Sequence, residues 1–442
     1  MKFTVLDIYP KNKNYRISKD QNGSYGTGND YGDNIFSKFL KFFVSKNVDC
    51  PPLYAAQICG ELKSKGHLVK YTQSIQDIDS DSIIILISSI VCHEHEIECL
   101  NLIKNQNIKI FAVGPFASNF PQKYVESGSK VIKGEPEMFF KDFDFYKNNF
   151  SDLPNIIDKF KIYDINELSY PAWDVILNYQ ETKMSFLGKG RSAYINSSRG
   201  CPYSCFNYCV YPLQQGRQVR YKNADRVLNE MNHCYDKFKI KNFVFRDPVF
   251  SINRKNTIEL CNKLILNKQK FNICVETHLK NLDSELSTLL KEAGVKIVYV
   301  GIESSDKETL DDAKRYSINN DLQIERVKFL EKIGIKVKAM YILGLPKDSI
   351  KTFKETVEYA ISINSSFSQF SVFTPYPGTP IFKEYEKKLT SKKFIDFNQW
   401  KLVFKHNNLS NNDVRKLLGY AYMKYYFRIK WILGRLPKIL FN

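Results

Sequence analysis

The 442-residue sequence has no stretch able to cross a bilayer. Its longest clearly apolar run, Ile83 to Val91, falls short of the roughly 20 residues a spanning helix needs. A targeting signal is also missing. The N-terminus, MKFTVLDIYPKNKN, has neither an apolar h-region nor a small-residue cleavage site. A cytoplasmic protein is therefore expected, and its ten cysteines are read as thiols or metal ligands before disulfides. No dinucleotide fingerprint is present, because the glycine-rich stretch Gly23–Gly32 does not sit in a tight strand-to-helix turn. That stretch reads either as a surface loop or as backbone that approaches a large ligand closely. Acid is in deficit, with 47 Asp and Glu against 65 Lys and Arg, a net charge of +18. Such an excess suits nucleic acid, a membrane surface or an anionic substrate, and equally a set of solvated Lys-rich faces.

Hydrophobic residues make up 43% of the chain, enough for real cores, and the length suggests two or three domains. In residues 1–150, strand-like runs at Lys2–Ile8, His67–Thr72, Ile83–Ser88 and Ile108–Val113 alternate with helix-like Pro52–Lys65 and Glu94–Lys104. This alternation predicts a doubly wound, Rossmann-like α/β domain that binds ligands at the carboxyl ends of its strands. Residues 151–190 read as a proline- and aromatic-bearing interdomain linker. Residues 191–382 carry six strand candidates: Ser192–Asn196, Asn242–Phe245, Asn272–Val275, Lys296–Val300, Lys336–Leu343 and Phe367–Phe373. Helical patterns such as Asp283–Ala293 and Leu322–Ile333 lie between them, so a partial (β/α)6 barrel is expected, with its chemistry at the strands' carboxyl ends. Residues 383–442 form a helical, aromatic tail holding fourteen Lys and Arg against four Asp and Glu. Within it, Tyr425–Leu436 could cap the barrel or lie on an anionic membrane.

Cys201, Cys205 and Cys209 crowd the loop after the first barrel strand, a polar segment with glycine and proline. Structural cysteines do not cluster in such loops. Zinc usually takes a fourth ligand, and no second Cys or His pair follows at zinc-ribbon spacing. Three thiolates suit a 4Fe–4S cluster with one iron open; zinc or a free-thiol loop is the alternative.

The run Arg199-Gly200-Cys201-Pro202-Tyr203-Ser204-Cys205, followed by Tyr208-Cys209 and Tyr211-Pro212-Leu213-Gln214-Gln215-Gly216-Arg217, resembles the radical S-adenosylmethionine (radical SAM) superfamily. More narrowly, it resembles members with an N-terminal cobalamin-binding domain. The family's usual cysteine spacing is three residues then two, whereas here it is three then three. Tyr208 matches the aromatic before the third cysteine, so the extra residue is Phe206 or Asn207. The resemblance implies that the open iron chelates S-adenosylmethionine, whose reductive cleavage yields a 5′-deoxyadenosyl radical. It implies further cofactor contacts at strand ends: Asp247 to the amino group (or a helix N-cap), Glu276 to cofactor or substrate, Glu303 and Ser304 to the ribose, and Gly344 beside the adenine. Tyr376–Pro380 closes the barrel mouth or forms a turn.

The first domain resembles the cobalamin-binding domains of these enzymes at Ser88, Ser89, Gly114, Pro115, Gly134 and Glu135, which would face cobalamin. No Asp-x-His-x-x-Gly motif occurs, and His93 and His95 read as first-turn helix residues. A protein histidine is thus not expected below the cobalt; a degenerate domain acting as a scaffold is the competing view.

The reading that follows is a cobalamin-dependent radical SAM methyltransferase acting on an unactivated carbon or phosphorus centre. Its cofactors would be a 4Fe–4S cluster, S-adenosylmethionine and cobalamin. Its partners would be a flavodoxin- or ferredoxin-type electron donor and a small-molecule, lipid or saccharide substrate, with an anionic membrane surface as a further partner and nucleic acid set aside. No catalytic residue is assigned. Alternatives are a rearranging or ring-forming radical enzyme, a tRNA methylthiotransferase-like enzyme, or a nucleic-acid- or membrane-binding adaptor with a vestigial barrel.

Overall fold

The structure, a computed structural model, describes residues 1–10, 17–106, 108–146 and 148–440, and leaves the side chains of residues 159 and 436–440, Leu436 among them, outside the description. Two six-stranded sheets carry the fold. The first holds β1 (Lys2–Leu6), β2 (Leu68–Thr72), β3 (Ile83–Ile87), β4 (Ile110–Val113), β5 (Lys130–Gly134) and β6 (Ile156–Phe160). They lie in the order β2-β1-β3-β4-β5-β6, and every pair is parallel. The central β3, Ile-Ile-Ile-Leu-Ile, is buried along its whole length, as a strand covered on both faces must be. The order reverses between β1 and β3, where such sheets open a crevice. Between β1 and β2 the chain forms α1 (Ile35–Asn47), capped by Asn34, whose side chain accepts the Ser37 N–H at 2.8 Å.

The segment 151–190 differs from the linker reading. Its Ile156-Ile157 pair with Val131-Ile132, so the first sheet continues beyond residue 150. This edge strand is five residues long and carries no periodic signal of its own; the sheet edge beside it supplies the template. Beyond β3, α2 (His93–Ile103) carries both histidines in its first turn, as expected.

The second sheet runs β7 (Ser192–Ile195), β8 (Asn242–Phe245), β9 (Asn272–Thr277), β10 (Val295–Glu303), β11 (Lys336–Leu343) and β12 (Phe367–Val372). All neighbours are parallel and in sequence order, which makes a six-stranded partial barrel with β7 and β12 at its two edges. Helix α3 (Ile350–Ile363) connects β11 to β12.

In the tail, α4 (Asn411–Tyr426) lies against the β12 edge, and α5 (Ile429–Leu440) follows it, its Trp431 donating to the Ser366 carbonyl just before β12. Tyr422 accepts the Phe370 N–H and donates to the Phe370 carbonyl, both at 3.0 Å. Tyr426 does the same at Ser368, and Tyr425 donates to the Ser365 carbonyl. Hydroxyls thus satisfy the strand edge that a seventh strand would otherwise pair. The tail's aromatics cap the barrel, one of its two expected roles. Among the described residues no helix is long and apolar enough to cross a membrane.

Candidate functional site

The cysteine loop rises from the carboxyl end of β7. Its base is a two-residue ladder in which Ser198-Arg199 pair antiparallel with Arg220-Tyr221. Gly200 has φ +95, and a Cβ there would lie 2.1 Å from the Gln218 carbonyl oxygen, so only glycine fits. Ser204–Asn207 form a short helical turn, and the Cys209 N–H reaches the Cys205 carbonyl at 2.9 Å. The extra residue in the spacing thereby completes an i→i+4 turn, which sets Cys205 and Cys209 on one face. The Cys209 thiol hydrogen-bonds Cys205, and together with the Arg315 guanidinium this holds the Cys205 thiol below the ordinary range, while Cys209 is pushed up. Burial raises Cys201 to about 11.

Among the described residues no three His, Cys, Asp or Glu side chains converge tightly enough for a single metal ion. A polynuclear cluster asks for something different, thiolates spread over separate irons. Three buried or half-buried cysteines on one loop, beside a cation, supply that donor set.

Arg315 is the residue the sequence did not flag. Its guanidinium lies 3.8 Å from Cys205 Sγ and 3.4 Å from Glu303 Oε1, and donates to the Gly301 carbonyl at 3.0 Å. Glu303 sits at φ +70 after a register shift in β10. A Cβ on Gly301 would stand 2.4 Å from Glu303 Oε1, so the glycine makes room for this pair. Burial raises the Glu303 carboxyl to about 7 against the pull of Arg315. Tyr208, stacked edge-on to Phe373, borders the same group. Glu276 stands beside it, 3.7 Å from Arg246 and 3.4 Å from the Tyr211 hydroxyl. The structure therefore gathers Cys201, Cys205, Cys209, Tyr208, Glu303 and Glu276 at the carboxyl end of the barrel.

Three expected contacts point elsewhere. Asp247 is fully buried and accepts from the Ser197 N–H and from both the Ser197 and Ser198 hydroxyls, so it braces the strand leading into the cysteine loop. It neither caps a helix nor reaches outward. The Ser304 hydroxyl accepts the Asp306 N–H, and the Gly344 N–H is held by Asp348. Burial decides all three: each polar group is spent on neighbouring side chains or backbone.

The six residues expected to face cobalamin do lie after β3, β4 and β5, but they serve packing. The Ser88 hydroxyl accepts the Ala117 N–H, and Ser89 is buried, its N–H held by Glu96. Gly114 presses against Ser88, and Pro115 opens the following helical turn. The Gly134 N–H goes to Ser118. Glu135 binds Arg199 at 3.1 Å and Arg220 at 2.5 Å, while Glu137 binds Arg199 at 2.8 Å, a buried ion network between the two domains. At the crevice between β1 and β3, Lys19 inserts between Glu96 and Asp7 and donates to the Ile87 carbonyl. Tyr25 is wholly buried between Phe116 and Tyr376, so Gly23–Gly32 is a packed interdomain segment rather than a surface loop. As folded, the polar groups of these residues are engaged within the protein, while Tyr9, Pro10 and Gln73, just after β1 and β2, line a large cavity. His93 is enclosed by Phe116, Tyr124 and Phe394, and His95 pairs with Glu98, so neither stands ready to ligate cobalt.

A cavity of about 1460 Å³ adjoins the cysteine site. It runs from Gln21 past Tyr194, Arg246, Tyr299 and Lys338 inside the barrel. Arg246 belongs to both regions, since it also donates to the Tyr211 hydroxyl beside Glu276.

Residues 195–360 match the Radical SAM superfamily. The chain is 24% identical over 353 residues to an uncharacterized methyltransferase of Pyrococcus horikoshii, covering 74% of each chain. It is 25% identical to the anaerobic magnesium-protoporphyrin IX monomethyl ester cyclase of Cereibacter sphaeroides, matching over 63% of its own length and about half (48%) of that relative's. In fold it is similar to the radical S-adenosylmethionine methyltransferase TsrM of Kitasatospora setae, with TM-score 0.62 and 14% identity over 87% of this chain and 76% of that one. It is likewise similar to the cobalamin-dependent S-adenosylmethionine radical enzyme OxsB, with TM-score 0.63 and 13% identity over 99% of this chain and 68% of that one.

Proposed function

Because this chain is a radical SAM superfamily protein, we propose that it uses S-adenosylmethionine to start radical chemistry on a substrate held in the cavity beside Arg246. The observation that carries this is the convergence of three cysteines with Tyr208, Glu303 and Arg315 at the barrel's carboxyl end. When bound, a 4Fe–4S cluster supplies the electron that cleaves the S-adenosylmethionine sulfonium, releasing methionine and a 5′-deoxyadenosyl radical that takes a hydrogen atom from substrate carbon. Cys201, Cys205 and Cys209 would hold the cluster. Arg315 offsets thiolate charge and fixes Glu303, whose carboxylate is placed to accept cofactor hydroxyls. Burial of this group keeps water away from the radical. The external reductant would be a flavodoxin- or ferredoxin-type protein.

The finer reading is methyl transfer, with cobalamin as carrier. The similar Pyrococcus protein and TsrM are both named methyltransferases, and OxsB is named cobalamin-dependent. At the expected loops Lys19, Glu96 and Asp7 already pair with one another, so the room for the carrier lies toward the cavity that Tyr9, Pro10 and Gln73 line.

Anaerobically reconstituted protein, given S-adenosylmethionine and dithionite, should release 5′-deoxyadenosine, and Cys201→Ala, Cys205→Ala or Cys209→Ala should each abolish it. Normal release from Cys209→Ala would overturn the cluster assignment. S-adenosylhomocysteine formed alongside supports methyl transfer, and hydroxocobalamin retained through desalting supports the carrier. Neither appearing on a verified substrate points to rearrangement or ring formation.

A further inference from the structure

The cavity and the surface around its mouth share one character. Ile35, Phe36, Phe39, Phe43, Phe427 and Ile432 line the outer part of the cavity, where α1 and the tail cover the open side of the barrel. Several apolar residues there face solvent: Ile35 is 87% exposed, Phe39 58%, Phe427 61%. Beside them, off the cavity wall, Phe42 is 59% exposed, Ile429 76% and Leu433 74%. One such residue would be ordinary, but a band of them at a cavity entrance marks an interaction surface.

The charge carried by the two helices under this band has one sign, with Asp33 before α1 already paired to Arg415. Neither α1 nor α5 contains a single Asp or Glu. Lys38, Lys46 and Lys430 are exposed, and none forms an ion pair among the described residues. Lys46 folds over the Phe42 ring at 4.4 Å, with its stem on the apolar face and its ammonium outward. Apolar side chains flanked by unpaired lysines are the composition of an interfacial helix on anionic lipid.

The inner end of the cavity is different. Lys338 stands over the Tyr299 ring at 4.7 Å and has no hydrogen bond or ion pair among the described residues. The Nε of Arg246, which lines the same space, is buried without a partner. An unpaired Lys338 and an Arg246 only loosely held by Glu276 at 3.7 Å, with a long apolar passage leading out to an apolar, basic rim, describe a site for an amphiphile.

We propose that the substrate is a long-chain lipid with an anionic head, drawn from an anionic membrane surface on which α1 and α5 rest. The head sits at Lys338 and Arg246, next to the cysteine site, and the chain runs outward past Phe39 and Phe427. This rests on the radical reading for the reaction, but its binding can be measured separately.

Full-length reconstituted protein should sediment with vesicles of phosphatidylcholine mixed with phosphatidylglycerol and not with phosphatidylcholine alone. The triple variant Ile35→Asp, Phe39→Asp, Leu433→Asp changes exposed positions only and should weaken that binding about tenfold or more. cis-Parinaric acid, a fluorescent long-chain carboxylate, should bind the same protein. Its methyl ester should bind about tenfold more weakly, and Lys338→Met should erase most of that difference. An unchanged acid-to-ester ratio in Lys338→Met would overturn the head-group assignment even if the variant is less stable, because both ligands report on one protein. Vesicle binding indifferent to phosphatidylglycerol, or no parinarate binding, would overturn the lipid proposal. Release of 5′-deoxyadenosine by the same preparation shows independently whether the radical reading stands.

Discussion

Arg315 joins two groups that lie far apart in the chain, Cys205 110 residues before it and Glu303 at the end of β10. Its replacement by methionine keeps the stem and removes the charge. Glu303 is then buried without its partner, and a lost charge-assisted interaction of this kind costs about 1.5–3 kcal/mol. Arg315→Met should therefore weaken S-adenosylmethionine binding about tenfold or more, read by isothermal titration, with iron content retained. Loss of the iron instead would assign Arg315 to holding the cluster.

His93 gives a second expectation at this scale. Burial among aromatic rings lowers it from 6.5 to about 4, with Lys123 adding to the shift. The folded state thus binds fewer protons than the unfolded state between these values. The contribution is complete above pH 6.5 and is lost as pH falls toward 4, amounting to roughly 3 kcal/mol. Urea melts at pH 7 and pH 5 should show a smaller loss for His93→Gln than for the parent, and equal losses would show that the ring is not a source of acid sensitivity.

At the scale of elements, the β12 edge depends on side chains of α4. Tyr422→Phe removes the hydroxyl that serves both the N–H and the carbonyl of Phe370. Each buried backbone group left unpaired costs about 1–3 kcal/mol and two lose their partner, so a destabilisation of at least about 1 kcal/mol is expected from denaturant midpoints. A variant as stable as the parent would mean that water enters to replace the hydroxyl. The cysteine loop makes a related point about local structure. Its three-residue second interval is a helical turn closed by the Cys209 N–H on the Cys205 carbonyl, so an irregular spacing in the sequence becomes a regular contact in space.

At the scale of the whole molecule, the two sheets are tied by charges that neither could bury alone. Glu135 and Glu137 come from the first domain, and Arg199 and Arg220 come from the base of the cysteine loop. Removing one member of a buried pair typically costs about 3–5 kcal/mol, because the remaining charge is left uncompensated. Glu135→Ala should lower thermal stability accordingly and open the seam to limited proteolysis. Proteolysis unchanged from the parent would indicate that Tyr25 and its aromatic neighbours hold the domains without the ion network.

The order of strands and helices, the six βα units and the cysteine loop were legible in the sequence, because they rest on local periodicity and short spacing. β3 is an unbroken aliphatic run and the three cysteines lie within nine residues, so each carries its own signal. The residues expected to face cobalamin, Asp247, Ser304 and Gly344 were placed correctly at strand ends, yet their polar groups turned inward to neighbouring side chains, backbone and arginines. Direction at a strand end depends on which distant group arrives to pair with it, and no local pattern records that. For the same reason Arg315, Lys19 and Lys338 read as ordinary members of a basic composition until folding buried them. The sequence by itself determined the alternation of strands and helices in both domains, β6 excepted, and the position of the cysteine loop. Only the tertiary structure decided which charges leave water, since that depends on contacts between segments 64 to 110 residues apart.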